Sequence, residues 1–279
     1  MDKLYLIGNG YVANCICENY SELFHLIGVS RSNKENCSEN IALDISVKSS
    51  QLSNLILSDS NIVYLAPPQK SGNKDRILEV FLSSVQLSRI KRFVYISTSG
   101  VYGDKKDAIV NEKSSTNPIT DRAKRRADAE QQIINSGLEY LILRVPGIYG
   151  KGRLPLKRVK ERLPLIKESI CKHTNLIHVK DLSKIIINSI KKDDAKNIVL
   201  NVSDGCPIKT TTYYKHIYDA LNIEYPKFID YDEAMAIYDD KRKSFINESR
   251  ILNIDLMKKL FPNAIEFKDI RDGIKDCLS

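Results

Sequence analysis

The N-terminal run MDKLYLIGNGYVAN sets Gly8, Gly10 and Ala13 directly after an apolar stretch of strand length, and no other feature restricts the fold as much. A glycine closing a strand lets the backbone turn tightly, a second lets it approach a ligand, and a small third residue lets the next helix pack on the sheet. Such a pattern is weak alone, but a position between a strand and a helix is the context it requires. The alternation continues. Residues 4–7, 24–29, 41–45, 62–66, 93–97 and 140–145 are short runs rich in Val, Ile, Leu, Tyr and Phe, with helical stretches between them, clearest over 74–90. Asn117 before Pro118, Asp121 three residues on and Gly137 beyond predict a helix over about 118–136, with Asn117 as its N-cap. Strands alternating with helices predict an α/β chain, a Rossmann-type doubly wound parallel sheet.

In that setting the loop predicts a pyrophosphate held at a helix N-terminus, with Gly8, Gly10, Tyr11 and Val12 around a dinucleotide. After the second strand, where an NAD-binding fold carries an acid for the ribose 2′-hydroxyl, the chain reads VSRSNK. Arg31, with Ser30, Ser32 and Lys34 beside it, suits a 2′-phosphate, which favours NADP over NAD. Asp44, after the third strand, faces the adenine or caps a helix, and Ala66 and Pro67, after the fourth, complete the expected cofactor set. The expected organisation is a cofactor domain over 1–150, with 175–203 returning to it. A smaller substrate-binding part comprises 151–174 and 204–279.

With 43 Lys and Arg against 35 Asp and Glu, the net charge of +8 favours anionic partners. Arg125 and Arg126 alternate with Asp128 and Glu130, which reads as a solvated mixed face rather than a nucleic-acid stripe. Residues 151–172 are more basic, and Arg153 in GKGR is the candidate for holding an anionic part of a substrate, a phosphate or diphosphate. No apolar run approaches the roughly 20 residues of a membrane helix, and nothing before the glycines resembles a leader. A cytoplasmic protein bound to neither membrane nor nucleic acid is expected. Six cysteines lack metal spacing, so neither a metal site nor a disulfide framework is predicted.

FVYISTSGVYGD after the fifth strand and LRVPGIYGKGR after the sixth, taken with IGNGYVA, LAPP, NLIHVKDLSKII and NVSDGCPI, resemble the extended short-chain dehydrogenase/reductase superfamily. That superfamily includes epimerases and dehydratases of nucleotide sugars. The loop and LAPP look most like its atypical YeeZ-like branch. The resemblance implies a Ser or Thr, a Tyr and a Lys four residues later as the chemical groups. Alignment on VYG puts Thr98 at the first position, with Ser97 and Ser99 beside it, and Lys124 at the last. The tyrosine position falls on Thr120, so an aliphatic alcohol stands where a phenol of pKa about 10 is needed. Tyr102 is the first candidate to replace it and Tyr149 the second. His178 has a suitable pKa but reads as a structural residue, and a desolvated Lys124 acting alone is a further option. The expected catalytic set is Thr98, Tyr102 and Lys124, and the resemblance also implies that Lys124 belongs to the cofactor set by hydrogen-bonding the nicotinamide ribose; Ser99, Tyr149 and Arg153 would meet substrate.

The resulting expectation is an NAD(P)-dependent oxidoreductase or epimerase of a sugar-like or nucleotide-sugar substrate. The alternative is a non-catalytic NADP-binding redox sensor. Related enzymes pair through two helices corresponding to 74–90 and 118–136, but the second is highly charged here, so a monomer or a homodimer is expected.

Overall fold

The computed structural model describes residues 1–56 and 58–279. The chain opens with β1 (Lys3–Ile7), α1 (Tyr11–Tyr20), β2 (His25–Ser30), β3 (Glu39–Ala42), α2 (Ser50–Ser53), β4 (Ser60–Tyr64), α3 (Arg76–Ser84) and β5 (Ile90–Thr98). It continues through β6 (Ile109–Val110), α4 (Asp121–Ile134), β7 (Tyr140–Val145), β8 (Gly147–Tyr149), α5 (Leu156–Lys160), β9 (Leu165–Ile166), β10 (His173–Thr174), β11 (Leu176–His178), α6 (Val179–Ile190) and β12 (Ile198–Asn201). Seven strands form one parallel sheet in the order β12-β7-β5-β4-β1-β2-β3. The predicted doubly wound sheet is therefore present, and the run 198–201 returns to it beside β7.

Both faces of the sheet are covered, which is why its central strands β1, β4, β5 and β7 are mostly apolar and buried rather than alternating. On one face Ala13, Ile16 and Cys17 of α1 and Leu182, Ile185 and Ile186 of α6 pack over Leu4, Leu6, Val94 and Leu141. On the other, Leu78 and Phe81 of α3 and Ala129 and Ile133 of α4 cover Tyr64, Phe93 and Tyr95, with the Tyr64 and Phe81 rings 5.4 Å apart edge to face. A third, smaller core joins Tyr149, Leu154, Val159 and Leu165 to Tyr213, Ile217, Ile270 and Ile274.

Two helices start later than predicted. Asp75, whose carboxylate accepts from Leu78 N–H at 3.1 Å, caps α3, and Val85 ends it in extended backbone. α4 begins at Asp121, capped by Thr120 Oγ1, which accepts from Ala123 N–H at 3.2 Å. Asn117 does not cap it. Its N–H is spent on Val101 O and its carbonyl packs against Gly103, where a Cβ would stand 2.1 Å from it.

Candidate functional site

Gly8 has φ +98°, and a Cβ there would lie 2.5 Å from Ala66 N and 2.7 Å from Ala66 Cα. The end of β1 and the exit of β4 are thus in backbone contact, which only glycine permits. Gly10 differs. A Cβ there would meet nothing closer than Gly8 O at 3.9 Å, so its outer side is open. Ala13 is fully buried, and no side chain caps the first-turn amides of α1. Open space in front of a glycine backbone, next to uncapped helix amides, fits a pyrophosphate.

The loop after β2 is laced to this turn. Asn9 Nδ2 donates to Asn36 Oδ1 at 2.7 Å and Asn40 Oδ1 at 3.1 Å, Asn36 Nδ2 donates to Asn14 Oδ1 at 2.8 Å, and the Lys34 ammonium donates to Asn9 O. Cys17 of α1 and Cys37 of the loop form a disulfide. This corrects the sequence expectation that no disulfide framework forms. The two are 20 residues apart in sequence, and no local spacing marks a pair that only the β1–α1–β2 turn brings together. Ser30 Oγ donates to Ser32 O, and Arg31 is exposed beside Asp44. The hydroxyl and amide of Ser46 hydrogen-bond Asp44 Oδ1 at 2.6 and 2.9 Å and, with Arg31 nearby, hold that carboxyl below its ordinary range. Asp44 is engaged in its own turn.

At the carboxyl ends of β5 and β7 lies a cavity of about 700 Å³. Pro67, Thr98, Ser99, Val145 and Arg153 line it, joined by the 170–175 segment and by Tyr231 and Phe245 from the later chain. Its walls carry Lys70, Arg122, Arg125, Arg126, Arg153, Lys172 and Arg250, whereas Glu248 is the one carboxylate among the described lining residues. Glu248 is held by Arg250 at 3.0 Å, and a second nitrogen of Arg250 donates to Ser99 O at 2.8 Å. Beside them His173 places Nδ1 3.2 Å from Asp107 Oδ2.

The structure moves the expected chemical face of α4. Lys124 lies outside the cavity, exposed and 3.5 Å from Asp121 Oδ1, and the Thr120 hydroxyl is spent on the cap. Thr120, Arg122, Ala123, Arg125 and Arg126 are the residues of this region that line the cavity. Arg126 Nη1 donates to Tyr95 Oη at 2.9 Å, and Arg122 sits 4.6 Å over the Phe245 ring. One further turn along, buried Glu130 accepts from Arg144 at 2.7 Å and from Ser97 Oγ at 2.5 Å. The solvated-face reading also fails for Arg125, which is buried and donates to Gly72 O. Arg125 and Glu130 sit five apart in a mixed-charge run, and charge alternation alone does not reveal which side of such a run is inward.

Tyr102 is fully buried and does not line the cavity. Its Oη lies 2.8 Å from Asn201 Oδ1 and 3.0 Å from Asn111 O, with the Arg144 guanidinium over its ring. Tyr149 is equally buried, packed edge-on against His178 at 5.0 Å, and burial raises its pKa far above the ordinary value. His178 is structural: Nδ1 accepts from Lys180 N–H at the start of α6, and burial pushes the imidazole down to about 4. Of the expected chemical and substrate residues, the structure brings together Thr98, Ser99 and Arg153 and leaves Tyr102, Lys124 and Tyr149 elsewhere. Arg122, Arg126, Lys172, His173 and Arg250 were missed.

Residues 9–193 match the family model described as NAD(P)H-binding. The chain belongs to this NAD(P)H-binding family. Protein YeeZ of Escherichia coli is 26% identical over 213 residues, covering 74% of this chain and 72% of that protein, in keeping with the YeeZ-like branch of the extended short-chain superfamily. Among solved structures, a functionally unknown conserved protein from Silicibacter pomeroyi superposes with a TM-score of 0.85 at 22% identity, covering 100% of this chain and 98% of that one. UDP-glucuronic acid 4-epimerase from Bacillus cereus, in complex with NAD, gives 0.79 at 16% identity, covering 98% and 96%. The fold of this NAD(P)H-binding chain is that of the epimerases.

Proposed function

We propose that the chain is an NADP-dependent oxidoreductase or epimerase acting on an anionic, sugar-like or nucleotide-sugar substrate. The observation that carries this reading is the cavity at the sheet's carboxyl edge, beside the cofactor turn, whose walls hold seven Lys and Arg against Glu248. Ligands of open α/β sheets bind at that edge, and cationic walls select a phosphate or carboxylate. The open side of Gly10 and the first amides of α1 would hold the pyrophosphate, and Arg31 a 2′-phosphate. When bound, the cofactor supplies a hydride acceptor or donor. Thr98 orients a substrate hydroxyl. Arg122 and Arg126, which line the cavity from α4, would hold negative charge on the substrate. His173, whose Nδ1 lies 3.2 Å from Asp107 Oδ2, is the candidate for the proton-exchanging group. Cys17–Cys37 would stay open in a reducing cytoplasm and close on oxidation.

A second reading, a non-catalytic cofactor sensor, is favoured by one observation: no phenol stands on the cavity face of α4. Calorimetric titration with NADPH, NADH and their oxidised forms, repeated on Arg31→Ala, tests the cofactor assignment. A selective loss of NADPH affinity in the variant is expected, and equal affinity for NADH and NADPH would remove the preference. Turnover of an anionic sugar panel with the preferred cofactor then separates enzyme from sensor.

A further inference from the structure

The turn GKGR after β8 is fastened to the start of α1 by the residue that follows the second loop glycine. Tyr11, the first residue of α1, donates its hydroxyl to Lys151 O at 3.0 Å. Its ring carries the Arg153 guanidinium 4.4 Å above its centre. Gly150, with φ +153°, is the point of contact: a Cβ there would lie 2.4 Å from Tyr11 Oη and 2.6 Å from Val179 Cγ1. Gly152, with φ +76°, gives the turn its second left-handed residue. Arg153 lines the cavity, and among the described residues no carboxylate lies within ion-pair distance of it. A guanidinium held over an aromatic ring by its face still has N–H groups to offer an external acceptor.

We propose that Arg153 is a pyrophosphate clasp: resting on Tyr11, it reaches across the mouth of the glycine turn and binds the cofactor's phosphates from the side opposite the α1 amides. This rests on the cofactor reading above and moves Arg153 from the substrate to the cofactor. The reason is the platform. Tyr11 follows Gly10 directly and its ring holds Arg153 at the start of α1, whereas the other cavity cations are Lys70, those of α4, Lys172 and Arg250. Bound this way, the dinucleotide is gripped between two parts of the chain about 140 residues apart in sequence, residues 11 and 153.

The test is calorimetric titration of the full chain and of Arg153→Ala, Arg153→Lys, Tyr11→Ala and Tyr11→Phe with NADPH, NADH, ADP-ribose, adenosine 2′-monophosphate and UDP. ADP-ribose keeps the pyrophosphate without the nicotinamide, and the monophosphate lacks the pyrophosphate altogether. Loss of one charge-assisted contact predicts a weakening of about tenfold or more for the dinucleotides and ADP-ribose in Arg153→Ala. The weakening should be smaller in Arg153→Lys, with little change for adenosine 2′-monophosphate. Tyr11→Ala should follow Arg153→Ala, whereas Tyr11→Phe, which keeps the ring, should stay within about twofold. Unchanged ADP-ribose affinity in Arg153→Ala overturns the clasp while leaving the cofactor reading intact. A loss confined to UDP also overturns it and returns Arg153 to the substrate. Failure of the unmodified chain to bind any dinucleotide overturns both.

Discussion

The glycine turn and the basic cavity meet at one edge of the same sheet, yet they are built in opposite ways. The turn is made of backbone and small residues, and each position is set by sterics: Ala66 leaves no room at Gly8, and the core leaves none at Ala13. The cavity is made of long cationic side chains from α4, the turn at 150–153 and the later chain, held by hydrogen bonds and rings. A site defined by what fits is rigid and tolerates few residues. A site defined by which way long side chains point depends on helix register.

The sharpest way to break this comparison is beneath the cavity, where Glu130 and Arg144 are both buried and paired at 2.7 Å. Glu130→Ala leaves the guanidinium buried without its partner and is expected to cost about 3–5 kcal/mol in urea denaturation. If it costs less than about 1 kcal/mol, charge does not organise that wall. Next in size is the effect of pH on His178. Its folded pKa of about 4 lies below the ordinary 6.5, so the folded state binds fewer protons than the unfolded chain. Stability from the neutral imidazole is complete above about 6.5 and drains away as pH falls toward 4, about 3 kcal/mol in all. Thermal melts across that window should show the decline, and His178→Asn should flatten it.

The two loop glycines sharpen the contrast directly. Gly8→Ala must push backbone at Ala66 and adopt a strained φ, with an expected loss of about 2–3 kcal/mol. Gly10→Ala should keep wild-type stability within about 0.5 kcal/mol while losing dinucleotide affinity, because its methyl fills the open side. The same stability loss in both would mean that Gly10 is a packing residue. The smallest effect belongs to Lys124→Ala. Exposed and paired with Asp121 on the surface, it should change stability and cofactor affinity within error, whereas Arg122→Ala should abolish binding of anionic substrate probes.

The sheet was legible because buried parallel strands leave apolar runs of fixed length, and the run at 140–145 coincides with β7. The glycine turn was legible because its chemistry is local. The face of α4 was not. Alignment on VYG had to be carried across residues 103–120, a connection whose length no periodicity fixes, and Thr120 turned out to serve the helix end. Tyr102 was misplaced for a related reason. A short 3-10 turn at Ser99–Tyr102 rotates it inward beneath Arg144, and sequence shows the loop but not its rotation. Cys17 and Cys37 became neighbours only once β1, α1 and β2 were assembled.

The surplus of positive charge around the cavity also bears on how fast a ligand arrives. Fields from clustered cations in a low-dielectric cleft draw anions in ahead of contact, and dissolved salt shortens their reach to about 8 Å at physiological strength. Capture of an anionic ligand by this chain should therefore slow steeply as salt is added while its release changes little, and free phosphate should compete for entry.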